Sequence, residues 1–128
     1  MHKCFISSLL LAAILFACMP VMAASGKYLL KPSAFQHCMQ WQRVLLIDVS
    51  TPDEYAQGHI KGSINIDWTG SDFDDKIAAL GNDRPALMYD HNGSKSALAA
   101  DNLRKAGFKE VYELKGGLQE WLADKKQV

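Results

Sequence analysis

A parallel β-sheet covered by helices on both faces, the α/β class, is the architecture this 128-residue sequence predicts. Three observations carry the prediction. Strand-like and helix-like patterns alternate from Lys27 onward with no low-complexity stretch or internal repeat between them. The run Val44-Leu45-Leu46-Ile47 is apolar without a break, as a strand buried on both faces requires. A short Gly-containing loop, residues 90–95, joins a predicted strand to a strong helical pattern, and ligands of such sheets bind at the carboxyl ends of strands.

The elements follow in order. Tyr28-Leu29-Leu30 reads as a short strand, and Pro32 to Trp41 as a helix opened by proline. Arg43 to Val49 holds the central strand. Thr51-Pro52-Asp53-Glu54 combines an N-cap hydroxyl, a first-turn proline and an acid that reaches back to the cap, so a short helix runs to about Gln57. Gly58 and Gly62 bracket His59-Ile60-Lys61, and Ser63 to Ile66 is the next strand. Ser71, with Asp74 three residues on, caps a helix carrying Phe73, Ile77 and Leu80; residues 81–85 turn the chain. Ala86-Leu87-Met88-Tyr89 leads into the loop, and a helix from Ser96 to Ala106 ends at Gly107, a left-handed stop. Val111-Tyr112 is the last strand. Gly116-Gly117 turn the chain into a final helix with Leu118, Trp121 and Leu122 on one side.

Residues 1–23 have another character. Lys3 precedes an apolar run from Phe5 to Ala17, about 13 residues against the ~20 needed to span a bilayer, and Pro20-Val21-Met22-Ala23 ends in small residues. This reads as a signal peptide cleaved after Ala23, leaving residues 24–128 as one domain in the periplasm or secreted, without a transmembrane anchor. The competing reading takes Leu15-Phe16-Ala17-Cys18 as a lipobox, with Cys18 lipidated. Cys4 and Cys18 leave with the signal, and Cys38 remains on the apolar face of the first helix with Phe35 and Met39. A core residue is the expectation for it, and a free thiol for mixed disulfides the alternative.

Lys and Arg number 14 and so do Asp and Glu, interleaved along the chain, which gives no electrostatic footprint for nucleic acid. Trp41, Trp68 and Trp121 are too scattered for a stacking platform and are expected to pack in the core or at its rim.

Leu46-Ile47-Asp48-Val49, the run Glu54 to Ile66 with its Gly-His-Ile segment, and Asp90-His91-Asn92-Gly93-Ser94-Lys95 together resemble the active-site region of the rhodanese-like sulfurtransferase family, over nearly the whole of residues 24–128. The resemblance implies the rhodanese-like fold, with a five-stranded, mainly parallel sheet. It also implies a loop cysteine that carries sulfur as a persulfide, and here that position is Asp90. A carboxylate oxygen is neither nucleophile nor leaving group for sulfane sulfur, so ordinary persulfide chemistry is not expected.

Further departures are Ser50, where the family often has Arg, and Lys95, whose point charge lacks the bidentate fork of Arg. Gly93, Ser96 and the loop length match; the loop is one residue shorter than in dual-specificity phosphatases. A strand-to-helix loop of this kind aims several N–H groups into one bowl. The Asp90 carboxylate is expected to fill that bowl as an internal anion.

Residues Asp90, His91, Asn92, Gly93, Ser94, Lys95 and Ser96 form the candidate binding loop, for a small anion or a protein partner. No catalytic residue, metal or cofactor is assigned, and a monomer is expected. Asp48, Glu54 and His59 are read as turn, cap and buttress. The functional expectation is an exported binding or accessory module without sulfurtransferase activity. Its alternatives are a sulfurtransferase using another thiol, for which Cys38 is the candidate, and a metal-binding protein using Asp90 and His91. A phosphoryl-accepting Asp90 is disfavoured because the acid expected two residues on is Asn92.

Overall fold

The computed structural model describes residues 28–128. The expected signal peptide and cleavage site, with Cys4 and Cys18, lie outside the described residues. The sheet has five strands, β1 (Tyr28–Leu30), β2 (Leu45–Asp48), β3 (Ile64–Asn65), β4 (Ala86–Tyr89) and β5 (Val111–Leu114). They lie in the order β1-β5-β4-β2-β3, and every pairing is parallel rather than mainly so. The helices are α1 (Pro32–Cys38), α2 (Pro52–Gln57), α3 (Phe73–Leu80), α4 (Ser94–Lys105) and α5 (Gly117–Ala123).

Two apolar layers sandwich the sheet. On one face Phe73 and Ile77 of α3 and Ala99, Ala100 and Leu103 of α4 pack on Leu45, Ile47, Ala86, Met88 and Val111. On the other, Phe35 and Cys38 of α1 and Leu118 and Trp121 of α5 pack on Leu87, Tyr89 and Leu114. Alternate residues of β4 therefore feed opposite layers, which is why all four of its residues are buried. Trp121 is core, Trp68 packs edge-on against Phe73, and Trp41 sits at the rim against Tyr112.

Element ends depart from expectation for local reasons. Helix α1 stops at Cys38, not Trp41, because Gln40 and Trp41 donate to His37 and Cys38, tightening the chain into three-residue turns before Arg43 (φ 61°) steps it toward β2. Ser71 does not cap α3: the N-cap is Asp72, without a side-chain bond, and the Asp74 carboxylate accepts from Asn102 of α4 instead. Helix α4 begins at Ser94, two residues before the expected Ser96, since Gly93 (φ 94°) makes the left-handed step into it.

Other signals held. The Thr51–Glu54 capping box is complete, and α4 ends at Gly107 (φ 97°), with Gly107 N–H donating to Arg104 and Phe108 N–H to Leu103. The sequence pattern did not reveal Glu113, which is buried in β5. Arg104 of α4 lies above it, Nη2 being 3.9 Å from Oε2, while the same guanidinium bonds Asp101 and the Val111 carbonyl.

Candidate functional site

Strand β4 delivers Asp90 to the carboxyl edge of the sheet, beside the end of β2. Asp90 is almost wholly buried (1 % exposed), an expensive place for a carboxylate without partners. Its own loop supplies them. Gly93 N–H donates to Oδ1 at 2.7 Å and Lys95 N–H to Oδ2 at 2.9 Å. Both donors belong to the start of α4, where backbone N–H groups have no helical partner and the helix dipole favours negative charge. The side chain at residue 90 therefore occupies the bowl that the loop forms.

A second turn lies beside it. Asn92 Oδ1 accepts from Ser94 N–H at 3.0 Å and Ser94 Oγ at 2.7 Å, and Ser96 Oγ donates to the Gly93 carbonyl. From outside, α5 clamps the loop: Leu118 N–H donates to the Asp90 carbonyl at 2.8 Å and Gln119 N–H to the His91 carbonyl at 3.0 Å. The first turn of α5 thereby satisfies its own orphan donors on the loop backbone. This approach needs Gly117 (φ 63°), since a Cβ there would lie 2.5 Å from the Asp90 carbonyl oxygen and 2.7 Å from Asn92 N. The Gly-Gly pair was legible as a turn, but its clamping role was not.

Unlike Asp90, Lys95 and His91 point outward. Lys95 Nζ is 3.6 Å from Glu54 Oε2, and that oxygen also accepts from Thr51 N–H, so the lysine couples the loop to the start of α2. His91 is exposed, with Nε2 at 3.2 Å from Gln119 Nε2; the amide donates and the ring nitrogen accepts. A cleft of about 410 Å³ opens beside them, lined by Glu54, Gln57, Gly58, His91, Leu118, Leu122 and Val128.

Below the loop lies a buried polar layer. The Tyr89 hydroxyl accepts from Ile60 N–H at 2.8 Å and bonds Ser63 Oγ at 2.9 Å, and desolvation drives its pKa far above the ordinary phenol value. Asp48 Oδ1 accepts from Ser50 N–H at 2.9 Å, the turn role expected of it. Burial still raises the Asp48 pKa, opposed by hydrogen bonds from Ser50 and Tyr89 and by the field of His59. Asn65 ties the layer to β3 by donating to the Asp48 and Ser50 carbonyls. His59 stacks on Tyr55 (centroids 3.6 Å apart, planes within 6°) and turns Nδ1 to the Tyr55 carbonyl, which makes it a buttress.

The structure thus gathers Asp90, Asn92, Gly93, Ser94, Lys95 and Ser96 around one loop and leaves His91 facing outward. Cys38 is packed among Phe35, Leu114, Leu118 and Trp121, and burial raises its thiol pKa, the opposite of what a nucleophilic thiolate needs. Among the described residues no group of three or more His, Cys, Asp or Glu is arranged to hold a metal, and no helix is long and apolar enough to cross a membrane.

Known proteins place this geometry. A family profile described as "Rhodanese-like domain" matches residues 31–124. An uncharacterised protein of Bacillus subtilis, YqhL, is 38 % identical over 81 residues, which are 63 % of each chain. A protein of Stutzerimonas stutzeri named thiosulfate sulfurtransferase GlpE is 36 % identical over 90 residues, covering 70 % of this chain and 81 % of that one. Among solved structures, a rhodanese-related protein from Thermoplasma volcanium superposes with a TM-score of 0.68 at 24 % identity, covering 77 % of this chain and 94 % of its own, a likeness of fold. The NMR structure of a rhodanese-like domain from an Anabaena protein gives 0.67 at 28 % identity, over 77 % and 75 %.

Proposed function

Since the chain belongs to the rhodanese-like domain family and carries Asp90 where relatives of the sulfurtransferase type are expected to carry cysteine, we propose that it is an exported binding or accessory module without sulfur-transfer activity of its own. The observation that carries this reading is the pair of hydrogen bonds from Gly93 and Lys95 N–H to the two oxygens of Asp90. The donors that would hold a sulfur-bearing thiolate already hold an internal carboxylate. That carboxylate lacks the polarisable sulfur needed to attack thiosulfate and then release a sulfur atom.

Residues 24–128 act in this reading as one exported, monomeric domain, with residues 90–96 and the adjoining cleft as the contact surface. An external anion would compete with Asp90 for the same donors, which favours a protein partner over a small oxyanion. The sulfurtransferase alternative draws on the relatives named for that activity and would route sulfur through Cys38. The burial of that thiol weighs against it.

The test is incubation of the purified protein with thiosulfate and cyanide, followed by thiocyanate measurement and intact mass. The proposal expects neither thiocyanate nor a persulfide on the wild type, and it expects Asp90→Cys to gain both. Turnover by the wild type that survives Cys38→Ala would overturn it. The same intact-mass measurement on exported material distinguishes cleavage after Ala23 from lipidation at Cys18.

A further inference from the structure

A second cleft lies on the α1/α5 side of the sheet, away from the loop donors. It measures about 400 Å³ and is lined by Gln36, Met39, Ile60, Lys61, Trp121, Lys125, Lys126 and Gln127. Three of these carry positive charge and none negative, although residues 28–128 as a whole carry 12 Lys and Arg against 14 Asp and Glu. The cleft is therefore a local basic island on a domain of opposite net sign. Among the described residues Lys126 reaches Asp124 at 3.7 Å, while Lys61 and Lys125 have no ion-pair partner.

The backbone builds this cleft. Helix α5 ends with Lys125 N–H donating to Leu122 and Lys126 N–H to Trp121, the same stop that closes α4. At the end of α4 the left-handed residue is Gly107; here it is Lys125, at φ 59°. A charged side chain thus stands where glycine is conformationally preferred. The Trp121 indole N–H then donates to the Gln127 carbonyl at 2.9 Å, holding the following segment as one wall. Half-buried Met39, backed by the buried Ile60 and Trp121, gives the cleft an apolar floor below the lysines.

From this combination we propose that the cleft docks an acidic segment of another protein, with carboxylates on Lys61 and Lys125 and an apolar side chain on the floor between them. Charge complementarity selects the occupant. The chain's own residues 1–27 contain no Asp or Glu and cannot supply it. A flat anionic membrane fits poorly, because the apolar groups are sunk beneath the charges rather than raised above them. A second copy would have to present a different surface, a head-to-tail contact that does not close a dimer. This inference stands apart from the chemistry of Asp90.

The test uses a fluorescein-labelled peptide of alternating Glu and Leu, followed by anisotropy at about 0.01 M ionic strength, where the Debye length is about 30 Å, and again at about 1 M. Binding that fades with salt, weakens about tenfold or more in K61E/K125E and takes an intermediate value in K61Q/K125Q is expected, since two attractive pairs become repulsive ones. The indole N–H resonance of Trp121 should shift on binding. Circular dichroism and thermal melts establish that both variants are folded. Equal affinity in wild type and K61E/K125E, equal binding of a Lys-Leu peptide, or binding to phosphatidylglycerol vesicles without binding to the peptide would each overturn the proposal. Concentration-dependent dimerisation abolished by the reversal would overturn it as well.

Discussion

Replacing Asp90 by alanine empties the loop of its internal anion and leaves two N–H groups, those of Gly93 and Lys95, aimed at the vacated space. Hydrogen bonds to a charged partner contribute about 1.5–3 kcal/mol each, and water entering the space recovers part of that, so a net cost of about 2–4 kcal/mol is expected from urea unfolding. The same change should convert the loop into an anion site. A ligand held only by the folded state adds about 2.7 kcal/mol at a hundredfold excess over its dissociation constant, enough to restore much of the loss. Thiosulfate is the appropriate probe, with sodium chloride at matched ionic strength beside it. Because sulfur oxyanions also stabilise proteins by surface exclusion, the decisive quantity is the gain of Asp90→Ala minus the gain of wild type in the same salt. A clearly positive difference is expected. If the wild type gains as much as the variant, or if Asp90→Ala costs less than about 0.5 kcal/mol, the carboxylate is not what fills the bowl and the reasoning fails.

Gly117→Ala should cost about 2–4 kcal/mol in chemical denaturation, from a left-handed backbone bearing a Cβ and from displacement of the Leu118 and Gln119 hydrogen bonds on the loop. Gly62→Ala is the control: it carries the same left-handed backbone (φ 90°) with no heavy atom within 4 Å of the added Cβ, so about 1 kcal/mol is expected, and equal costs would contradict the clamp. Asp48 predicts an uncommon pH dependence. Burial raises its folded-state pKa, so the folded protein holds the proton more tightly than the unfolded chain, and this contribution is complete below the unfolded value of about 3.9 and lost as pH rises through the folded one. Urea midpoints of wild type and Asp48→Asn across the acid range should diverge with that sign; a constant difference would remove the assignment.

The fold was legible because its signals are local and agree with one another. The apolar run of β2, the Thr51–Glu54 capping box and the Gly107 stop each depend on a few neighbouring residues, and each stands as the pattern predicts. The misplaced boundaries arise where a tertiary contact competes with a local one. Asp74 was read as a partner for the Ser71 cap, yet its carboxylate is engaged by Asn102 from another helix. Glu113 was passed over because the expected strand stopped at Tyr112; the strand runs on to Leu114 and buries the acid 3.9 Å from Arg104 of α4.

At the loop, one residue identity was legible without any geometry: a persulfide at residue 90 would need a sulfur atom, and Asp90 has only oxygens there. The alternation of strand and helix likewise determined the sheet, since period and turn residues act over a few positions. Only the tertiary structure decided where the loop donors point, that α5 braces the loop through Gly117, and that lysines from the turn after α2 and the end of α5 meet over one apolar floor. Those relations join residues dozens of positions apart, and their distances exist only once the two layers have closed on the sheet.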